Sequence, residues 1–321
     1  MRVLLTTGVA GLTVLGMIGA AQAPRLNPLI ELLEQKKPVF GLYAPAPPRG
    51  SRAAAPADPA ATPPPVKTPA DFAKEALAYE PGDFLFSGGM EGGLERGLVP
   101  FTDLVNALAP LPARARHPLV VKTPKIGADP AKAIDNISRQ LNLGVTTIVL
   151  VGVESADEVK HGLSAMRFKS RGGTRPEDVG TAPAYWGVAE QQYRDKADLW
   201  PLNPKGELLN WTIVESKEGL ARVREIAAVK GVGVLFPGAG TLRGVFSTTN
   251  GDGQRVFDSD GWEAAIQQVL SACKEFNVPC GYPATENDIE LRMKQGFSVF
   301  IINWGDAGFR AVEKGRKLAG R

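Results

Sequence analysis

Carboxylates, a lysine and a glycine-rich turn recur just past apolar runs in this chain, and these residue types could do chemistry together. Glu91 comes shortly after DFLFSG, Lys122 ends PLVVK, and Glu154 and Ser155 follow TTIVLVGV. Glu215 ends LLNWTIVE, and Asn303 and Asp306 come after FSVFII. In VLFPGAGTLRG, residues 234–244, an apolar run ends at Pro237, and Gly238, Ala239, Gly240 and Thr241 precede Arg243. Facing one mouth, two carboxylates, a lysine and a glycine-rich backbone turn can hold a divalent cation and a small oxyanion. Glu215 stands directly after a buried run, a costly place for a carboxylate without a partner, which favours a working role. The two histidines do not fit that work. His117 precedes the run at 118, hence at the opposite end from the strand termini, and His161 lies within a helix pattern. A base must then be Glu91, Glu215, Lys122 or a metal-bound water. Thr241 can equally cap a turn, and Arg243 can equally be a solvated side chain.

The glycines of 238–244 do not make a nucleotide site. Their spacing is G-x-G-x-x-x-G, one residue off the dinucleotide fingerprint, and they follow a late strand instead of the first. No G-x-x-x-x-G-K-[ST] occurs anywhere in the chain.

The elements that must position these residues alternate. Strands are expected at 38–43, 83–88, 118–123, 146–153, 208–215, 232–237, 278–283 and 297–303. Helices are expected at 101–109, 129–143, 155–166, 188–198, 217–229, 261–276, 285–295 and 306–318. Short helices are also expected within 27–35 and from 71. Continuous apolar strands separated by amphipathic helices imply a parallel sheet buried on both faces. Eight such units predict an α/β fold, a (β/α)8 TIM barrel, with its active site where the strands end.

Composition sets outer limits. The chain has 321 residues, 44% of them hydrophobic and 22% charged, and a formal charge of +3. That charge is too small to imply nucleic acid as a partner. Residues 1–23 read as a signal peptide: Met1-Arg2, an uncharged apolar run, then Ala21-Gln22-Ala23. Pro24 is a poor residue after a cut, so cleavage after Ala21 is an alternative, and an uncleaved anchor is the competing reading. After cleavage no membrane span remains, and the mature protein is expected outside the cytoplasm, in the periplasm. The barrel would begin in 24–43, pause at an Ala/Pro-rich loop, 44–69, that cannot bury enough apolar surface to fold alone, and continue through 70–321. Cys273 and Cys280 read as two reduced core thiols, although export would permit a bridge. Residues 167–187 read as a long basic loop in which Tyr185-Trp186 pack.

Four stretches, in order, carry a family resemblance: Pro118-Leu-Val-Val-Lys-Thr-Pro124, Val151-Gly-Val-Glu-Ser-Ala-Asp-Glu-Val159, Trp211-Thr-Ile-Val-Glu-Ser216 and Leu235-Phe-Pro-Gly-Ala-Gly-Thr-Leu242. They resemble the HpcH/HpaI aldolase and citrate lyase family, from about Asn27 to the end of the chain. The resemblance implies a pyruvate-kinase-like barrel, a homo-oligomer, and a carbon–carbon lyase working through a metal-stabilised enolate of a small 2-oxo acid. It implies Mg²⁺ or Mn²⁺ as the cofactor, with Glu215 as the first metal carboxylate and Glu91 and Lys122 as catalytic groups. Gly238, Ala239, Gly240 and Thr241 would bind substrate. The family's second metal carboxylate falls on Thr241, the Asp and His of its D-x-E-H stretch are glycines around Glu91, and its strand-three Arg is Lys122. Those departures leave a second reading, an exported carboxylate-binding protein or pseudoenzyme on the same barrel.

Overall fold

The computed structural model describes residues 24–46 and 66–321. The signal-peptide reading for 1–23, and most of the Ala/Pro-rich segment, lie outside the described residues. Eight parallel strands line the centre. They are β1 (Val39–Tyr43), β2 (Leu85–Ser87), β3 (Leu119–Lys122), β4 (Thr147–Leu150), β5 (Leu208–Val214), β6 (Val234–Pro237), β7 (Gly281–Pro283) and β8 (Val299–Ile302). Each falls inside a range expected from the sequence. Neighbours pair in chain order from β1 to β6, β7 pairs β8, and β8 returns to β1. The remaining seam, between β6 and β7, is closed by a parallel bridge of Leu235 with Cys280, where the Leu235 amide donates to the Pro279 carbonyl at 3.0 Å. The expected α/β barrel is present.

The alternation of side chains along a strand decides what fills it. Val39, Phe84, Phe86, Val120, Val149, Leu209, Trp211, Val234, Phe236, Val299 and Ile301 form one buried cluster inside the ring. Trp211 is its centre, edge-on to Phe84 at 5.1 Å and tilted against Phe236 at 5.2 Å. Two inward glycines make that possible. A Cβ at Gly41 would stand 2.3 Å from the Phe84 ring, and one at Gly281 would stand 2.0 Å from the Phe236 ring. The outward residues, Leu119, Val121, Ile148, Leu150 and Leu235 among them, pack under the helices.

Helix 28–34 plugs the N-terminal end with Leu29, Ile30 and Leu33. Asn27 caps it, and the Asn27 amide and side chain both bond Glu207, at 3.0 and 3.2 Å. At the next helix, Thr68 and Asp71 form a reciprocal capping box, so the helix opens at Pro69. Asp129 with Pro130 starts 130–141, whose Ala133, Ile137 and Leu141 face the core.

Several boundaries differ from expectation. The helix expected at 101–109 begins at Leu94 and runs through Pro100, which is exposed, so the carbonyl it leaves unpaired can meet water. The helix expected at 217–229 is two short ones, 217–221 and 223–227, broken at Arg222. Residues 239–245, read as a glycine-rich loop, form a short helix, because nothing in that stretch except glycine opposes one. The two cysteines are not free thiols. Cys273, on helix 259–276, and Cys280, at the foot of β7, are joined in a disulfide with Cα atoms 5.6 Å apart. Their side chains converge because the helix returns against the strand it precedes. No helix among the described residues is long and apolar enough to cross a membrane.

Candidate active site

Inward alternation carries Lys122, at the end of β3, and Glu215, one residue past β5, to the C-terminal mouth above the Trp211 layer. Lys122 is only 16% exposed, and its ammonium donates to Glu91 Oε2 at 2.9 Å. Glu91 reaches it from the turn after β2. Gln140, buried on helix 130–141, ties the two together by donating to the Lys122 carbonyl at 2.9 Å and contacting Met90 Sδ at 3.4 Å. Gly88 leaves room beside them, since a Cβ there would lie 3.7 Å from Lys122 Cδ and 3.8 Å from the Tyr43 ring.

Glu215 is half-buried and lies against two glycines. A Cβ at Gly238 would stand 2.6 Å from Glu215 Oε2, and one at Gly152 would stand 3.5 Å from Oε1. Gly238 also donates its amide to the Val214 carbonyl at 2.8 Å, which docks the 238–241 backbone beside Glu215. Gly152 has φ of +57°, a left-handed conformation that suits glycine and breaks the alternation after β4.

Beside Glu215, over the same face of Gly152, runs the stem of Lys125, 3.4 Å from that Cβ position. Its ammonium donates to Glu154 Oε1 at 2.9 Å. This hydrogen bond holds the Glu154 carboxyl below the usual carboxylate range, against the opposing effect of burial, and Ser216 adds a second bond. Ser155 caps helix 156–166 by accepting from the Glu158 amide, and Glu158 Oε2 accepts from the Glu154 amide at 3.4 Å. Lys125, Gly127, Ala128, Glu154 and Glu158 line a pocket of about 210 Å³.

Other sequence candidates fall elsewhere. Thr241 is exposed on the helix 239–245. Arg243 stacks over Phe257 at 4.0 Å, on the hairpin 247–257, which accounts for it without substrate. Asp306 opens the last helix and is exposed. His117 is buried before β3 at the far end, and burial lowers the pKa of its imidazole. His161 Nε2 donates to the Pro130 carbonyl at 2.7 Å, outside the barrel. A larger cavity, about 730 Å³, also lies at the N-terminal end, beside Lys36, Lys230, Lys274 and the disulfide, and none of the mouth residues borders it.

A family model described as HpcH/HpaI aldolase/citrate lyase matches residues 102–302. The chain belongs to this family. It is 27% identical over 232 residues to the 2-dehydro-3,6-dideoxy-6-sulfogluconate aldolase of Pseudomonas putida, covering 71% of this chain and 80% of that protein. It is also 27% identical over 255 residues to the hydroxypyruvate/pyruvate aldolase of Paraburkholderia phytofirmans, covering 79% and 82%. A solved structure of an HpcH/HpaI family protein from Burkholderia cenocepacia superposes with a TM-score of 0.63 at 22% identity, covering 92% of this chain and all of that one, a likeness of fold.

For an HpcH/HpaI protein the side chains at the mouth offer a lean donor set. Glu215 forms no ion pair among the described residues, and the absence of side chains at Gly152 and Gly238 leaves its oxygens open. Thr241 contributes no charge, and among the described residues no three His, Cys, Asp or Glu side chains gather to hold a metal. Mg²⁺ is commonly held by one or two carboxylates, with substrate oxygens and water completing its shell. The site therefore fits a cation shared with a chelating substrate, not one held by the protein alone. Sequence reasoning passed over Lys125 and Gln140. The first is a loop lysine three residues past Lys122, and the second is an ordinary polar residue on a helix whose inward aim needs the packed structure.

Proposed function

We propose that this protein is a carbon–carbon lyase of the aldolase type, acting on a small 2-oxo acid through its enolate. The observation that carries the reading is the Lys122–Glu91 pair inside the mouth, within a barrel that also presents Glu215 against an open backbone turn. Cleavage of a 4-hydroxy-2-oxo acid takes a proton from the 4-hydroxyl, breaks the bond between C3 and C4, and leaves negative charge on the 2-oxo oxygen. Lys122, little exposed and fixed by Gln140 and Glu91, is placed to stabilise that charge where water does not screen it. Glu91 is the more exposed partner and the group available to accept and return the proton. Ala239, Gly240 and Thr241, in the first turn of helix 239–245, offer main-chain N–H groups to the substrate carboxylate, and Gly238 and Gly240 carry no side chain to block approach. Glu215 and the substrate oxygens would hold Mg²⁺ or Mn²⁺, which supplies Lewis-acid polarisation of the 2-oxo group.

We infer further that the protein is exported and works as a homo-oligomer. The disulfide supports export, since such bonds persist in oxidising compartments. The neutral Thr241 favours the second reading, an exported carboxylate-binding protein that has lost turnover. Release of pyruvate from a 4-hydroxy-2-oxo acid, followed with lactate dehydrogenase, separates the two. The lyase reading expects metal-dependent release that chelator abolishes. Binding of the oxo acid without release would favour the binding protein.

A further inference from the structure

The polar cluster beside Glu215 has no part in enolate formation as described above, yet it shares a wall with the mouth. Lys125 passes over Gly152 on the side that Glu215 Oε1 also approaches, and its ammonium meets Glu154 in the lining of the pocket of about 210 Å³. A 2-oxo acid held at Glu215 and Lys122 therefore has this pocket as the neighbouring space for the half of the substrate that leaves as aldehyde. Its charged lining is one lysine and two glutamates, Glu154 and Glu158, with Gly127 and Ala128 completing the wall. Net negative lining disfavours a second anion on the substrate. Glu154 is kept ionised by Lys125 and Ser216, so it is a strong acceptor and a weak base. Ionised carboxylates with a lysine beside them suit hydroxyl groups, which donate to the carboxylates and accept from the ammonium. An apolar aldehyde would displace water from both without replacing the hydrogen bonds that the water makes.

We propose that Lys125 and Glu154 select the aldehyde half of the substrate, taking an uncharged, hydroxylated short-chain aldehyde into the pocket they line. The assignment rests on the lyase reading. Gly127 matters to its shape, because a Cβ there would stand 3.1 Å from the Glu158 carboxyl and press on it.

The test is aldol addition of pyruvate to three aldehydes, D-glyceraldehyde, propanal and succinic semialdehyde, in the full-length protein and in Glu154→Gln and Lys125→Met. Proton exchange at the pyruvate methyl is followed in the same samples. The expected result is a preference in kcat/KM for glyceraldehyde over propanal of at least about tenfold, with succinic semialdehyde poorer than glyceraldehyde. Either variant should bring the glyceraldehyde–propanal ratio to within about threefold. Two variants are used so that misfolding of one leaves the other as evidence, and a ratio is insensitive to loss of active protein. Exchange with no preference, with a preference for the anionic aldehyde, or with a ratio unmoved in both variants would overturn the assignment and leave the lyase standing. Absence of exchange would remove the lyase reading, and this one with it.

Discussion

Glu215 and Thr241 occupy the two positions at which the family resemblance expects carboxylates, and only Glu215 can carry charge. Cation affinity follows the number of anionic oxygens offered, so the native mouth should bind Mg²⁺ or Mn²⁺ weakly without substrate. Thr241→Asp should tighten that binding roughly tenfold in calorimetry. An unchanged titration would mean that another side chain supplies the ligand or that position 241 does not face the ion. The paired residues are harder to read from sequence than the single ones. Lys122 and Glu215 are legible because each ends an apolar run, and alternation alone turns them inward. That Lys122 meets Glu91 and Lys125 meets Glu154 depends on the paths of three loops, which carry no periodic signal.

Strands were the legible elements, because a short apolar run of β-branched and aromatic residues between turn signals has few other uses. Helix ends were less so. The helix expected from 101 starts at Leu94 with Pro100 inside it, and Arg222 interrupts a pattern that the apolar spacing carries through. The segment 239–245 shows the limit most plainly, since its glycines argue for a loop and yet it forms a short helix beside the Gly238 amide docked on Val214. That docking makes Gly238 the tightest backbone position at the site. In Gly238→Ala the new Cβ would stand 2.4 Å from Glu215 Cβ, so the backbones of β5 and β6 must part and carry Glu215 with them. The expected outcome is a loss of about 1–3 kcal/mol in denaturant unfolding, with weaker divalent-cation binding. Native stability and native metal affinity together in that variant would show that the turn does not position Glu215.

At the scale of the whole molecule, the barrel is closed at one seam by few bonds, and the disulfide sits there. Cys273 and Cys280 are seven positions apart, and Cys280 itself forms the bridge to Leu235. Reduction should cost on the order of 2–3 kcal/mol by loop-closure entropy, lowering the melting temperature by several degrees. A melting temperature insensitive to reductant would show that the seam holds without it. His117, at the same end of the barrel, makes stability depend on pH. Burial lowers its pKa in the folded protein below the ordinary value near 6.5, so the unfolded chain binds its proton first. Its contribution is present above that value and is lost as pH falls below it, at no more than about 1.4 kcal/mol per pH unit. Urea midpoints between pH 7.5 and 5 should fall more steeply for the native protein than for His117→Gln, and parallel profiles would contradict the assignment.

This mouth is proposed to form an enolate, with Lys122 holding the charge. Exchange of the pyruvate methyl protons in deuterated buffer, followed by NMR, tests that step without any assumption about the aldehyde. The exchange should require Mg²⁺ or Mn²⁺, stop with chelator, and fall by about 10²–10³ in Lys122→Ala. Pyruvate that binds and raises the melting temperature, yet keeps its methyl protons under every metal condition, would contradict it.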